Sequence, residues 1–301
     1  MVVVDEASML SLELFAGLLS KLPANCSLVL VGDPNQLGSV GTGNLIPELL
    51  ELGCPVTRLE QQYRQSDKEA ALFYNVTYFP KLCDSEELKF DESFELIPTN
   101  EGDIFKVIQE EAAKRHLTGE NVQVIATTRA DVKKLNEELQ RVVNPPADGK
   151  PEVTHNGITI RENDRTMILK NNREERCFNG DIGTAHVEPM EGGSAFIHIP
   201  LSANRQPKLF SAKIGSTLAL AYALTVHKSQ GSQYDTVIMP ASTDCQKMLR
   251  RNLFYTAISR AKKQVILVGS KEALHIAMVT PTESRKSMLV TKTHQKMHFA
   301  V

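Results

Sequence analysis

The 301 residues predict an α/β fold: parallel sheets covered by helices, with one small all-β insert. Two observations carry the α/β part. Short apolar runs alternate with segments of helical period, and Leu28–Val31 is apolar throughout, as expected of a parallel strand buried on both faces. A third carries the insert. From about Val153 to Phe210 the signal becomes short β-like pieces separated by Gly, Asn, Asp and Pro.

Taken in order, Val2–Val4 is a strand. Leu12, Phe15, Leu18, Leu19 and Leu22 recur at helical spacing, with Ser11 placed to cap that helix. After Leu28–Val31, Asn44 opens a helix through Leu52, Val56–Leu59 reads as a strand, and a helix follows near Lys68–Tyr78. Leu82–Leu96 is charged and poorly periodic and reads as a surface excursion. Asp103–Arg115, Val122–Ala126 and Ala130–Val142 read as helix, strand and helix, before Asn144-Pro145-Pro146, Gly149 and Pro151 break the pattern. Inside the insert Ile158–Ile160, Thr166–Leu169, Ala185–Val187 and Ala195–Ile199 are the strand candidates, and Asn179-Gly180 is a hairpin signal. Strand–helix grammar resumes with Leu218–Val226, Thr236–Met239, a helix over 250–260 and Val265–Val268. The last thirty or so residues read as a short helix and a tail.

The bulk numbers narrow the function. No apolar run approaches the ~20 residues of a membrane span. A net charge of −2 leaves no basic footprint, so any nucleic acid must be held in a local groove. Cys26, Cys54, Cys83, Cys177 and Cys245 are scattered, with no Cys-x-x-Cys pair. This argues against a zinc site or disulfide framework and for a reducing, cytoplasmic compartment.

Asp5-Glu6 is the first chemical feature. A carboxylate at a strand end can hold Mg²⁺, usually through water, while its neighbour orients or deprotonates an attacking water. The plainer reading is an acidic helix start capped by Ser8. Gly32-Asp33-Pro34-Asn35-Gln36 then forms a turn after a strand, at the carboxyl edge where α/β sheets bind ligands. Gly32 and Pro34 serve the turn, whereas Gln36 can bond a γ-phosphate or its water. A Gly-x-x-x-x-Gly-Lys-Ser/Thr phosphate loop does not occur in the 301 residues; the nearest dipeptide, Gly149-Lys150, precedes Pro151.

Val4-Asp5-Glu6-Ala7-Ser8 followed by Gly32-Asp33-x-x-Gln36-Leu37-x-Ser39-Val40-Gly41-x-Gly43 resembles motifs II and III of superfamily 1 helicases. The RecD-like, 5′-to-3′ branch fits best. Tyr63-Arg64-Gln65 is similar to motif IV, Ala223–Ser232 to motif V and Tyr255–Lys262 to motif VI. Leu135-Asn136-x-x-Leu139-Gln140-x-x-x-Asn144-Pro145 and Phe178-Asn179-Gly180-Asp181-Ile182-Gly183 resemble stretches before and within that branch's SH3-like insert. Gly38 and Gln233 depart from the family pattern, where Pro and an acid are usual.

The resemblance implies RecA-like parallel sheets: the end of a first domain (1–57), a second in two segments (58–152 and 213–280), an SH3-like insert (153–212) and a tail (281–301). It implies ATP and Mg²⁺ as cofactors and single-stranded DNA as partner. Asp5 would serve Mg²⁺, Glu6 the water and Gln36 the γ-phosphate. Arg64 and Arg260, planar and permanently charged, would act as arginine fingers. Gly231 would border the nucleotide. Thr225, His227, Lys228 and Ser229, with Ser39, would grip the DNA backbone. By the same resemblance the phosphate loop would lie upstream of Met1 or come from a separate polypeptide. The alternatives are an inactive DNA-binding or regulatory remnant and a conjugative relaxase–helicase fragment.

Overall fold

The computed structural model describes residues 1–59, 61–65, 67–68, 70–201, 205–244, 249–281 and 287–298. Its first strands, β1 (Val2–Val4) and β2 (Leu28–Leu30), pair in parallel with Val2 opposite Leu28. Helix α1 (Leu12–Leu19) connects them, and the Ser11 hydroxyl caps it by accepting the Leu14 N–H at 3.3 Å. Helix α2 (Leu45–Glu51) follows, but the Asn44 side chain does not cap it. Instead the Asn44 N–H donates to Glu48 Oε1 at 2.7 Å, which reaches back over the first turn. The expected strand at Val56–Leu59 is irregular chain, and both end residues are exposed.

Beyond α3 (Ala71–Tyr78), Leu82–Leu96 differs from expectation. Leu82, Leu88 and Phe94 are buried, and β3 (Phe94–Pro98) is a true strand. The charges that made this stretch read as surface are local turn-formers. The Asp91 carboxylate accepts the backbone N–H groups of Ala71 and Ser93, each at 2.7 Å. Next come α4 (Ile104–Leu117), β4 (Val122–Ala126) and α5 (Arg129–Val143), the last capped by the Thr128 hydroxyl on the Asp131 N–H.

The insert begins with β5 (Glu152–His155) and β6 (Ile158–Arg161), a two-residue hairpin at Asn156-Gly157. Both turn residues have positive φ, 50° and 73°, as a type I′ turn requires. Strands β7 (Arg165–Ile168) and β8 (Ile182–Thr184) are antiparallel but joined by the long loop 169–181. Asn179-Gly180 therefore sits at a loop turn rather than at a tight hairpin. Strands β9 (His186–Pro189), β10 (Ala195–His198), β11 (Lys208–Phe210) and β12 (Leu218–Leu220) complete two three-stranded sheets, ordered β12-β7-β8 and β11-β10-β9. Val153, Ile160, Ile168, Ile197 and Leu218 pack between them.

Leu218–Val226, read as one strand, is two. β12 closes the insert sheet, and β13 (Ala223–Thr225) joins the main one. The chain continues through α6 (Val226–Ser229), β14 (Tyr234–Ala241), α7 (Arg251–Ile258), β15 (Ala261–Gly269), α8 (Lys271–Val279) and α9 (Leu289–His298). The main sheet is wholly parallel, ordered β13-β4-β14-β15-β3.

A polar stripe on α5 fastens the insert to this sheet. Asn136 donates to the Ala223 carbonyl (2.9 Å) and accepts the Ala223 N–H (3.0 Å). One and two turns on, Gln140 and Asn144 donate to the Asp164 carboxylate at 2.5 and 2.6 Å. The same carboxylate accepts the Arg161 N–H at 2.6 Å and the Tyr222 hydroxyl at 2.9 Å. Asp164 is fully buried, and burial raises its pKa against these four donors.

Candidate nucleotide cleft and nucleic-acid groove

Parallel pairing puts the ends of β1 and β2 side by side, so Asp5-Glu6 and Gly32–Gln36 emerge at one edge. Asp5 and Glu6 are exposed, and Glu6 holds φ 51°, rare for a residue with a side chain. Its N–H donates to Asp5 Oδ1 at 2.8 Å. Ser8, expected as a helix cap, instead ties the two loops together: its hydroxyl accepts the Asp33 N–H and donates to the Asp33 carbonyl, both at 2.9 Å. This explains Gly32, where an added Cβ would lie 2.8 Å from Ser8 Oγ and 2.9 Å from Ser8 N.

Asp33 organises the turn. Its Oδ1 accepts the Asn35 N–H at 2.9 Å, and its Oδ2 accepts the Gln36 side-chain N–H at 3.3 Å and the Tyr255 hydroxyl at 2.9 Å. Tyr255 belongs to α7, so this contact crosses between the two parallel sheets. Two more bonds cross with it. The Leu37 N–H donates to Thr256 Oγ1 at 2.8 Å, and Gln230 donates to the Leu37 carbonyl at 3.0 Å. Asp33, Tyr255 and Thr256 were not singled out in the sequence. The signal lay in their positions, inside the two matched motifs.

The structure brings Arg64 and Arg260 to this seam. Arg260 is 1% exposed, with Nε on the Thr256 carbonyl and Nη2 on Ser259 Oγ, both at 3.1 Å. Arg64 donates to the Ser259 carbonyl, and Gln65 beside it donates to the Ala261 carbonyl at 2.6 Å. Burial, then repulsion from Arg64, lowers the Arg260 pKa, while Glu6, Tyr255 and Asp33 pull it back. Burial and Asp33 push the Tyr255 phenol up. Gln36 Oε1 and Arg64 Nε are buried without a hydrogen-bond partner. Two repelling guanidiniums with an open donor and an open acceptor fit an anion that brings oxygens and ordered water.

Among the described residues no group of three His, Cys, Asp or Glu is arranged to hold a metal ion. One carboxylate such as Asp5, binding through water, suits Mg²⁺, which keeps much of its own hydration.

The motif V residues form a second patch. Thr225 caps α6 by accepting the Lys228 N–H at 3.3 Å. Lys228 Nζ donates to Asn179 Oδ1 of the insert at 2.7 Å. Burial, then the nearby charge of Arg129, lowers the Lys228 pKa. Arg129, exposed at the start of α5, thereby joins the patch although the sequence reading passed over it. Thr225, His227 and Lys228 are partly exposed. Gly231 is exposed with φ 76°, which a side chain would strain. Two of the expected DNA contacts lie inside the fold. Ser229 is fully buried, its hydroxyl turned onto the Val226 carbonyl at 2.8 Å, and Ser39 is also buried.

Three family models match: an AAA domain over residues 1–75, the ATP-dependent RecD-like DNA helicase SH3 domain over 135–192, and the UvrD-like helicase C-terminal domain over 220–268. Over 97% of its length the chain is 30% identical to the ATP-dependent RecD2 DNA helicase of Deinococcus radiodurans, covering 39% of that protein. Over 92% of its length it is 27% identical to the RecBCD enzyme subunit RecD of Mycolicibacterium smegmatis, covering 51% of it. These matches make the chain RecD-like, similar to superfamily 1 helicases of that branch. It spans about half the length of such relatives, or less. Its fold matches Pif1 helicase from Bacteroides, crystallised with ADP-AlF3 and ssDNA (TM-score 0.56, 16% identity, 99% of this chain and 75% of that one). Pif1 from Candida albicans matches equally (TM-score 0.57, 14% identity, 99% and 76%).

No helix among the described residues of this RecD-like chain is long and apolar enough to cross a membrane. Cys26, Cys54, Cys83 and Cys177 are free thiols, and Cys245 lies outside the described residues, as do 282–286 and 299–301 of the expected tail.

Proposed function

We propose that this chain forms the water- and arginine-bearing side of an ATP-hydrolysing cleft and part of the single-stranded-DNA path it drives. The observation that carries the reading is the seam itself. Arg64 and Arg260 meet the Glu6 and Asp33 loops there, bolted by Tyr255, Thr256 and Gln230.

Mg²⁺–ATP, when bound, supplies the phosphoanhydride that is cleaved and the cation that offsets its oxygens. Asp5 would hold the cation through water. Glu6 accepts the proton of the attacking water. Gln36 orients that water through its open Oε1, and Arg64 and Arg260 donate to the oxygens on which charge builds. Gly231 leaves the backbone free to approach the nucleotide. Thr225, His227 and Lys228 hold DNA phosphates, with Arg129 adding charge. Gln230, between that patch and the Leu37 carbonyl, links DNA occupancy to the Gln36 turn, so cleft closure moves the strand.

The proposal assigns the phosphate-cradling loop to residues outside these 301, in a longer chain or a second polypeptide. The domain limits 1–57, 58–152, 153–212 and 213–280 go with it. So does a reducing, cytoplasmic setting. The rival reading, a DNA-binding module without hydrolysis, takes its support from the lack of that loop in the 301 residues. The test is unwinding by a polypeptide that combines this chain with the loop, using duplexes with 5′ or 3′ tails. ATP-dependent opening of the 5′-tailed duplex is expected. Opening from the 3′ tail contradicts the polarity, and no ATP turnover with DNA present favours the rival.

A further inference from the structure

The loop 169–181 carries one feature that the motor chemistry leaves unused. Phe178 sits at its tip, 50% exposed. A single exposed phenyl ring needs no explanation by itself. What sets this one apart is the bracing around it. Its N–H donates to Asp181 Oδ2 at 2.8 Å, and that carboxylate takes a forked bond from Arg205, at 2.7 and 3.2 Å. The Arg205 guanidinium stands over the Phe178 ring at 5.5 Å from its centre. Asn179, the next residue, donates its N–H to Asn171 Oδ1 at 2.8 Å, and its side-chain Oδ1 accepts from Lys228 Nζ at 2.7 Å. The backbone that carries the ring is therefore braced, and the ring stands partly in water, one residue from the cationic patch of Lys228 and Arg129.

We propose that Phe178 is a base-stacking platform. A nucleobase of single-stranded DNA lies against the ring while Lys228 and Arg129 hold the backbone beside it. This rests on the reading of the motif V patch as a DNA groove and adds a base contact to it. Three features support the assignment. A flat apolar surface next to a phosphate-binding charge is the pairing that sequence-tolerant strand binding uses. Pre-ordering of the backbone that carries the ring by the Asp181–Arg205 fork removes part of the entropy cost of stacking. Asn179 Oδ1 occupies Lys228 now, and an arriving phosphate oxygen offers the ammonium the same kind of acceptor with a charge.

The test measures binding of labelled dT15, and of a fifteen-unit abasic backbone, to the 301-residue chain. Phe178→Ala is expected to weaken dT15 binding on the order of five- to a hundred-fold, leaving the abasic strand unaffected. Phe178→Trp is expected to restore binding. Because the chain has no other tryptophan, its emission reports on that one ring, and dT15 but not the abasic strand should quench it. If Phe178→Ala keeps wild-type affinity for dT15, or the Phe178→Trp emission is unchanged at saturating dT15, the platform is refuted and the groove stands. If the unmodified chain binds neither strand, the groove reading falls and the platform with it.

Discussion

Arg260 sets a permanent charge inside the fold, 1% exposed, beside a second guanidinium. Its charge and fork were readable from its type, and its place in a motif marked it for function. Its burial, and its two bonds to the end of α7, needed the packing of β15 under that helix. Ser229 shows the opposite case: the same motif, a polar side chain, and a fully buried hydroxyl spent on its own turn. Polarity alone does not tell a solvent-facing hydroxyl from an internal one. His116 was not legible at all. Burial, then the charge of Arg165, lowers its pKa to about 4, and its Nε2 has no partner. The unfolded imidazole binds a proton near pH 6.5 and the folded one does not until about pH 4. Stability is therefore complete above pH 6.5 and falls as pH drops toward 4. Denaturant titrations at pH 7.5 and 4.5 should differ by up to ~3 kcal/mol from this group. In His116→Gln that part of the difference should vanish.

At the scale of elements, strand–helix alternation was legible because buried parallel strands are apolar on both faces. β4, β14 and β15 fell where the apolar runs put them. What failed was short or locally determined. β3 was hidden by charges that serve turns, and the break between β12 and β13 is invisible in one continuous apolar run. The α5 stripe matched a family pattern before its purpose was clear. Asn136, Gln140 and Asn144 recur every four residues and face inward, so the helix grips two sheets with side chains that would otherwise be costly to bury. Asp164 is the centre of that grip. Asp164→Ala removes one acceptor from four donors at once, and chemical denaturation should show a loss of roughly 3–5 kcal/mol. Asp164→Asn keeps an acceptor and should lose less. Amide exchange should locate the damage in β6, β7 and the end of α5. A loss under 1 kcal/mol in Asp164→Ala contradicts this account.

At the scale of the molecule, the two parallel sheets are unequal. The five-stranded sheet is covered on both faces, while β1 and β2 form a two-stranded sheet whose helix α1 buries no residue. Val3 is 55% and Leu14 64% exposed. Such a small sheet is marginal by itself. The bonds from Asp33 and Leu37 to α7 and from Leu37 to Gln230, and that of Ser287 to Glu48 of α2, hold it to the rest. The seam that steadies this part is thus the proposed hydrolytic cleft, and in that reading nucleotide chemistry there would act directly on the contact between the two sheets. The most direct test is single-turnover ATP hydrolysis, with dT15 present, by a polypeptide that joins this chain to a phosphate loop. Arg64→Ala and Arg260→Ala should each slow hydrolysis by ~10³-fold, while dT15 affinity and the circular dichroism spectrum stay at wild-type values. Wild-type hydrolysis in either variant would contradict the assignment of this seam as the catalytic cleft.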